Sequence, residues 1–201
     1  MSSMKAFDFL VVGVGGQGAL LASNVLAEVG VRAGYEVKKA EVHGMSQRGG
    51  SVNSHVRWGS EVLSPVIGRG EVGYLLALEK LEALRYLSML RPGATALVGE
   101  FKIPPLSVSS GSDHYPNDEE IKRALMQVTQ DYHFIPTLTL AREAGSPRAH
   151  NVVLLGALSA LIDDVLPETW LQVIEERVPD KYVELNRRAF EAGRRVRSFR
   201  E

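Results

Sequence analysis

Short apolar runs alternate along the chain with stretches in which apolar residues recur every three or four positions, the pattern of strands alternating with helices. Ala6 to Val12 is a brief Phe/Val/Leu run that ends at glycines and predicts a buried strand. Leu20, Leu21, Val25, Leu26 and Val29 then fall at helical spacing between Ala19 and Val29, with Gly30 as the stop. Tyr35 to Ala40 predicts a second strand, so the opening forty residues read as a βαβ unit with a right-handed crossover. Ser51 to Trp58 alternates as a half-exposed strand does, and Val72 to Leu78 reads as a buried one. Glu79 to Leu90 carries leucines at helical spacing, with Arg91-Pro92-Gly93 ending the helix before an Ala94 to Val98 strand.

Three prolines with serines and a glycine make Phe101 to Asp118 a loop-rich connection, after which Asp118-Glu119-Glu120 opens a helix with negative charge at its start. The last fifty residues are helical in pattern. Val152 to Asp163 is apolar enough to be buried, Pro167 suits the first turn of the next helix, and Pro179 precedes a final amphipathic helix from Lys181 to about Arg197. With 201 residues, 45% hydrophobic and 23% charged, the chain is of a size to close one core, so residues 1–201 are expected to form a single domain.

Charge and composition narrow the chemistry. Twenty-three basic residues against 24 acidic ones leave no global field for nucleic acid or anionic lipid. No apolar stretch approaches the ~20 residues of a membrane span, and Asp8 and the glycines interrupt the N-terminal run, so a cytoplasmic protein is expected. The absence of cysteine excludes disulfides, thiolate zinc sites, cysteine nucleophiles and any iron–sulfur cluster held by thiolates of this chain alone. The five histidines form no HExxH or i, i+4 pair, so no metal site is predicted, and His55 reads as a strand residue.

Two glycine-rich segments stand out. Gly13-Val14-Gly15-Gly16-Gln17-Gly18 fits G-x-G-x-x-G between a strand and a helix, where backbone N–H groups can approach a diphosphate at the positive helix end. Glu41, at the end of the second strand, stands where an acid holds an adenosine ribose, so this segment alone suggests a dinucleotide; alternatively the glycines only pack helix on strand. The second segment, from Glu41 to Val52, contains His43, Met45, Ser46, Gln47, Arg48, Gly49 and Gly50. It is expected as a loop at the carboxyl edge of the sheet beside the glycine turn, with donors around glycines that permit close approach and Arg48 able to grip a carboxylate or phosphate with two parallel N–H bonds. An internally bonded loop is the other reading. Asn151, before a buried helix, reads as a cap or as a ligand-facing residue at the helix start. The C-terminal arginines 187, 188, 194, 195, 197 and 200 read as a solvated face or as a docking surface for an acidic partner.

Taken together, GVGGQG and HGMSQRGGSV resemble the gamma subunit or domain of the 2-oxoacid:ferredoxin oxidoreductases, particularly the small subunit of the indolepyruvate enzymes. The similarity continues through SHVRWGSEVLSPVIGRGEV, LLALEKLEALRYLSML, NVVLLGAL and NRRAFEAG, departing where Gly73-Tyr74 replaces an acidic residue usual before the LLALE strand. The resemblance implies one gamma-type domain of a single Rossmann-like α/β fold: a mostly parallel central sheet flanked by helices and followed by a helical C-terminal segment. It implies a cofactor-free subunit of an enzyme that oxidatively decarboxylates a 2-oxoacid to an acyl-coenzyme A and passes electrons to ferredoxin. Thiamine diphosphate and the iron–sulfur clusters belong, on this resemblance, to a large alpha subunit, and the Gln47-Arg48-Gly49-Gly50 loop faces that subunit near the reaction centre.

Overall fold

The computed structural model describes residues 5–43 and 50–196. In chain order the elements are β1 (Phe7–Val14), α1 (Ala19–Arg32), β2 (Glu36–His43), β3 (Ser51–Gly59), β4 (Val72–Ala77), α2 (Lys80–Arg85), β5 (Leu90–Gly99), α3 (Leu106–Ser109), α4 (Asp118–Met126), β6 (Asp131–Ile135), α5 (Thr137–Ala144), α6 (His150–Ser159), α7 (Pro167–Arg177) and α8 (Val183–Arg194). The six strands form one sheet in the order β2-β3-β1-β4-β5-β6. Strands β1, β4, β5 and β6 are mutually parallel, whereas β3 is antiparallel to both of its neighbours, β1 and β2.

The sheet is therefore mixed, which corrects the mostly parallel expectation in its first half. The opening βαβ unit does not close as a pair, because β3 lies between β1 and β2. The reason is chain length: only the seven residues 44–50 join β2 to β3, and a parallel crossover needs about a dozen or more, so the chain returns as a hairpin.

Side chains of the central strands alternate into two cores. Phe7, Phe9, Val11, Leu76 and Leu97 join α1, α5, α6, α7 and α8 on one face. Leu10, Val12, Leu75, Ala77, Ala96 and Val98 join Ala83 of α2 and Ile121 and Leu125 of α4 on the other. Burial on both faces explains why β1 is continuously apolar from Phe9 to Val12 rather than alternating. All ten residues of α6 are buried, as expected of a helix apolar on every side.

Several boundaries move for identifiable reasons. Gly30 does not stop α1; a Cβ there would lie 2.4 Å from Trp58 Nε1, so this glycine lets the helix approach β3, and Gly34 at φ 85° follows the helix end. The long helix predicted from Glu79 to Leu90 shortens to α2 and a 3-10 turn, and Arg91-Pro92-Gly93 lies inside β5, beside a register shift opposite Val72 and Tyr74. Asn117 and Glu120 form a reciprocal capping box at the start of α4, and Pro167 opens α7 as predicted.

α6 and α8 touch backbone to backbone. A Cβ on Gly156 would fall 2.1 Å from the Phe190 carbonyl oxygen, and one on Gly193 2.0 Å from that of Val153. No rotamer change relieves such a clash. Gly156→Ala is expected to destabilise the fold by about 3 kcal/mol through overpacking, read as a lowered urea midpoint. Wild-type stability in that variant would show that the helices part freely.

Candidate functional site

At the carboxyl ends of β1 and β4 the chain leaves to opposite faces, into α1 and α2 respectively, which opens a crevice of the kind where α/β sheets bind ligands. The glycine turn fills the floor of this crevice. Gln17 is buried, and its side chain bridges the two strands: Oε1 accepts from Val14 N at 2.8 Å, and Nε2 donates to the Leu78 carbonyl at 3.2 Å. Gly13 leaves the space this needs, since a Cβ would lie 3.0 Å from Gln17 Oε1 and 3.1 Å from Leu78 Cβ. Gly16 (φ 102°) and Gly18 (φ 80°) take the left-handed conformation that turns the chain into α1. Among the described residues no side chain caps α1, so its first-turn N–H groups keep their positive field for whatever occupies the adjoining space.

The second glycine-rich segment is tied to the first at its base. Gly15 N donates to the Gly50 carbonyl at 2.9 Å, one rung beyond the last β1–β3 pair of Val14 with Ser51. The backbone of His43 ends β2 opposite Val52. Met45, Ser46, Gln47, Arg48 and Gly49 lie outside the described residues.

Asn151 meets the glycine turn from α6. Its Nδ2 donates to the Gly18 carbonyl at 3.1 Å while Oδ1 accepts from Val152 N at 2.9 Å. The N-cap position itself belongs to Ala149 and makes no side-chain bond. Asn151 thus satisfies a first-turn N–H from inside the helix and fastens α6 to the turn. A cavity of about 590 Å³ lies alongside, lined by residues 15–18, Phe101, Ile103, Arg148, His150 and Asn151. A second, of about 500 Å³, lies between the turn, Leu20, Val52 and Ser54.

Two residues of the larger cavity carry chemistry that periodicity did not reveal. His150 is only 5% exposed, its ring lies 4.9 Å from that of Phe101 at a tilt of 47°, and its Nδ1 has no hydrogen-bond partner among the described residues. Burial lowers its pKa to about 4, against a backbone hydrogen bond with Gln17 that raises it, so the ring is neutral at pH 7. Arg148 supplies a cation beside it. On the other side of the crevice, Ser51 donates to Glu82, and Tyr86 joins Ser51 (3.2 Å) and Asn53 (2.8 Å). Burial pushes the Glu82 carboxyl upward, opposed by the Ser51 hydrogen bond and by Arg85.

Other candidates resolve differently. Glu41 lies in β2, two strands from β1 because β3 intervenes, and pairs with Lys39. At about 4.8 Å per strand this displaces it from the place a dinucleotide ribose requires. His55 is structural, accepting from Ile67 N at 3.2 Å. Arg188 donates to the Ala144 carbonyl, Arg194 to Ser159 and Arg187 to Glu175, so these three arginines tie α8 to α5, α6 and α7, while Arg195 pairs with Glu191 one turn back along α8; Arg197 and Arg200 lie outside the described residues. Thiolate-held clusters do not fit a chain without cysteine, and among the described residues no group of three His, Asp or Glu could hold a metal ion. No helix among them is long and apolar enough to cross a membrane.

The model of the pyruvate ferredoxin/flavodoxin oxidoreductase family matches residues 8–196. The chain belongs to that family. As a gamma-type member it is 41% identical over 192 residues to indolepyruvate oxidoreductase subunit IorB of Thermococcus kodakarensis, covering 94% of this chain and 95% of that protein. IorB of Archaeoglobus fulgidus is 41% identical over 189 residues, covering 92% of each. Among solved structures, the gamma subunit of a keto/oxoacid ferredoxin oxidoreductase from Geobacter sulfurreducens superposes with a TM-score of 0.68 at 26% identity, over 93% of this chain and 95% of that one. A 2-oxoglutarate:ferredoxin oxidoreductase from Magnetococcus marinus, solved with 2-oxoglutarate, coenzyme A and succinyl-CoA, shares the fold at 23% identity and a TM-score of 0.69, over 95% of this chain but 31% of that longer one.

The gamma-type crevice contains a pH-dependent element. Because the folded-state pKa of His150 lies below its unfolded value, the unfolded chain binds a proton first as pH falls, and stability is lost between about pH 6.5 and pH 4. The loss attributable to His150 is ~3 kcal/mol. His150→Gln is expected to flatten the stability profile over that window, measured by urea denaturation at successive pH values; parallel profiles would contradict it.

Proposed function

We propose that this chain is the small subunit of a thiamine-diphosphate-dependent 2-oxoacid:ferredoxin oxidoreductase that acts on indolepyruvate and related aryl 2-oxoacids in the cytoplasm. Residues 1–201 serve as one gamma-type domain. The overall reaction releases the carboxyl group as carbon dioxide, joins the acyl group to coenzyme A and passes two electrons to ferredoxin. Thiamine diphosphate and the clusters are held by a large alpha subunit, and the cysteine-free small subunit shapes the space around them.

The end-to-end identity with two indolepyruvate subunits supports the substrate class. The local role rests on one observation, the cavity in which an uncapped helix start, two positive-φ glycines and Arg148 converge. That combination suits a phosphate-bearing ligand, since the helix end and Arg148 favour the anion. With thiamine diphosphate assigned to the alpha subunit, coenzyme A is the phosphate-bearing participant left for this cavity. The segment of His43, Met45, Ser46, Gln47, Arg48, Gly49 and Gly50 is assigned to the contact with the alpha subunit, on the resemblance of its sequence and on the bond from Gly15 N to the Gly50 carbonyl.

A free-standing NAD or FAD protein loses its geometric basis once β3 separates Glu41 from β1. Calorimetry distinguishes the two: the isolated chain is expected to bind neither NAD nor FAD, and micromolar binding of either would contradict the subunit reading. In the complex reconstituted with the alpha subunit, Arg148→Ala is expected to raise the KM for coenzyme A about tenfold while the KM for indolepyruvate stays unchanged. An unaltered KM for coenzyme A would remove the cavity from the reaction.

A further inference from the structure

One buried charge has no part in that account. Glu79 lies two residues past the end of β4, is fully buried, and stands at the N-cap of α2. Its Oε2 accepts from Glu82 N at 2.9 Å, which is the capping bond. Its Oε1 accepts from Ile103 N at 3.0 Å and from the Tyr115 hydroxyl. The same hydroxyl accepts from Leu81 N at 3.2 Å. Lys102 lies 4.5 Å over the Tyr115 ring, Lys80 N donates to the Phe101 carbonyl at 3.1 Å, and Lys80 Nζ meets Asp118 at 2.7 Å. Residues 101–118 are thereby strapped to the end of β4 and the start of α2.

The choice of residue is informative. Ser, Thr, Asp and Asn are the favoured N-caps, and a short acceptor would serve α2 as well. Only a longer carboxylate caps the helix with one oxygen and reaches the strap with the other. Burying it carries a desolvation cost that a hydroxyl cap would avoid. What the strap delivers lies at its start: Phe101 packs at a tilt against the His150 ring, and Phe101 and Ile103 line the cavity together with the glycine turn.

We propose that Glu79 is a positioning residue which, through Ile103 and Tyr115, holds the 101–103 wall at the distance from the glycine turn that coenzyme A requires. The proposal rests on the reading of the cavity as the coenzyme A site, and it assigns Glu79 no contact with substrate. The test uses the reconstituted complex with Tyr115→Phe and Glu79→Asp, the first removing the latch hydroxyl and the second keeping the charge and the cap of α2 while falling short of Ile103.

Both variants are expected to assemble and to show a KM for coenzyme A raised about tenfold, with kcat at saturating coenzyme A and the KM for the 2-oxoacid within about twofold of wild type. A wild-type KM for coenzyme A in either variant overturns the proposal, as does an equal fall in every kinetic parameter with loss of assembled complex, which marks a purely structural role. Arg148→Ala measured in parallel separates the two levels. If it raises the KM for coenzyme A and the Glu79 and Tyr115 variants do not, the strap alone is refuted. If it too is silent, the cavity reading falls and the proposal with it.

Discussion

Both ends of the Gln17 amide are used inside the fold, one on Val14 and one on the Leu78 carbonyl, at the point where β1 and β4 send their connections to opposite faces of the sheet. A crevice at that point is under tension between two requirements. It must stay open for a ligand, yet the backbone groups at the strand ends need partners. A glutamine folded back into its own glycine turn meets both. It ties the strand ends from below and leaves the upper surface of the turn to the cavity. Gly13 is constrained by this arrangement, because the space a side chain would take is already filled by Gln17 and Leu78.

The antiparallel β3 extends the same constraint sideways. By inserting beside β1 it brings Gly50 within a hydrogen bond of Gly15 and sets the base of the second glycine-rich loop against the first. It also moves the acid-bearing β2 outward and so exchanges the geometry of dinucleotide recognition for that of a shared rim. α6 completes the arrangement from the other core: Asn151 grips Gly18, and the neighbouring His150 and Arg148 face the same cavity. Close helix packing at Gly156 and Gly193 fixes where α6 can lie. A link therefore runs from small residues in the C-terminal core to the position of the polar groups at the crevice.

Much of this was legible in the chain. The strand, glycine turn and helix at the start, the start of α4 at Asp118 and the opening of α7 at Pro167 follow from local rules that tertiary packing does not override. The direction of β3 was not read, because a second strand ending at Ala40 leaves ten residues before Ser51, and the link shortens to seven only once β2 extends to His43. β6 was not: Asp131 to Ile135 is an edge strand with its first four residues partly or fully exposed, so it presents no apolar run to recognise. Arg91-Pro92-Gly93 misled because a proline and a glycine also fit an irregular first part of a strand. Glu79 could not be assigned from sequence, because its role is defined by Ile103 and Tyr115, far along the chain, and the lowered pKa of His150 comes from the core around it.

The central claim is that the rigid glycine turn and the start of α6 together form the coenzyme A face of a two-subunit enzyme. Hydrogen–deuterium exchange on the assembled complex, with and without coenzyme A, tests it most directly. The account predicts slowed exchange at the amides of residues 15–21 and 148–152 when coenzyme A is added, and no such change with NAD. Protection confined to the alpha subunit, or protection of the turn by NAD, would contradict it.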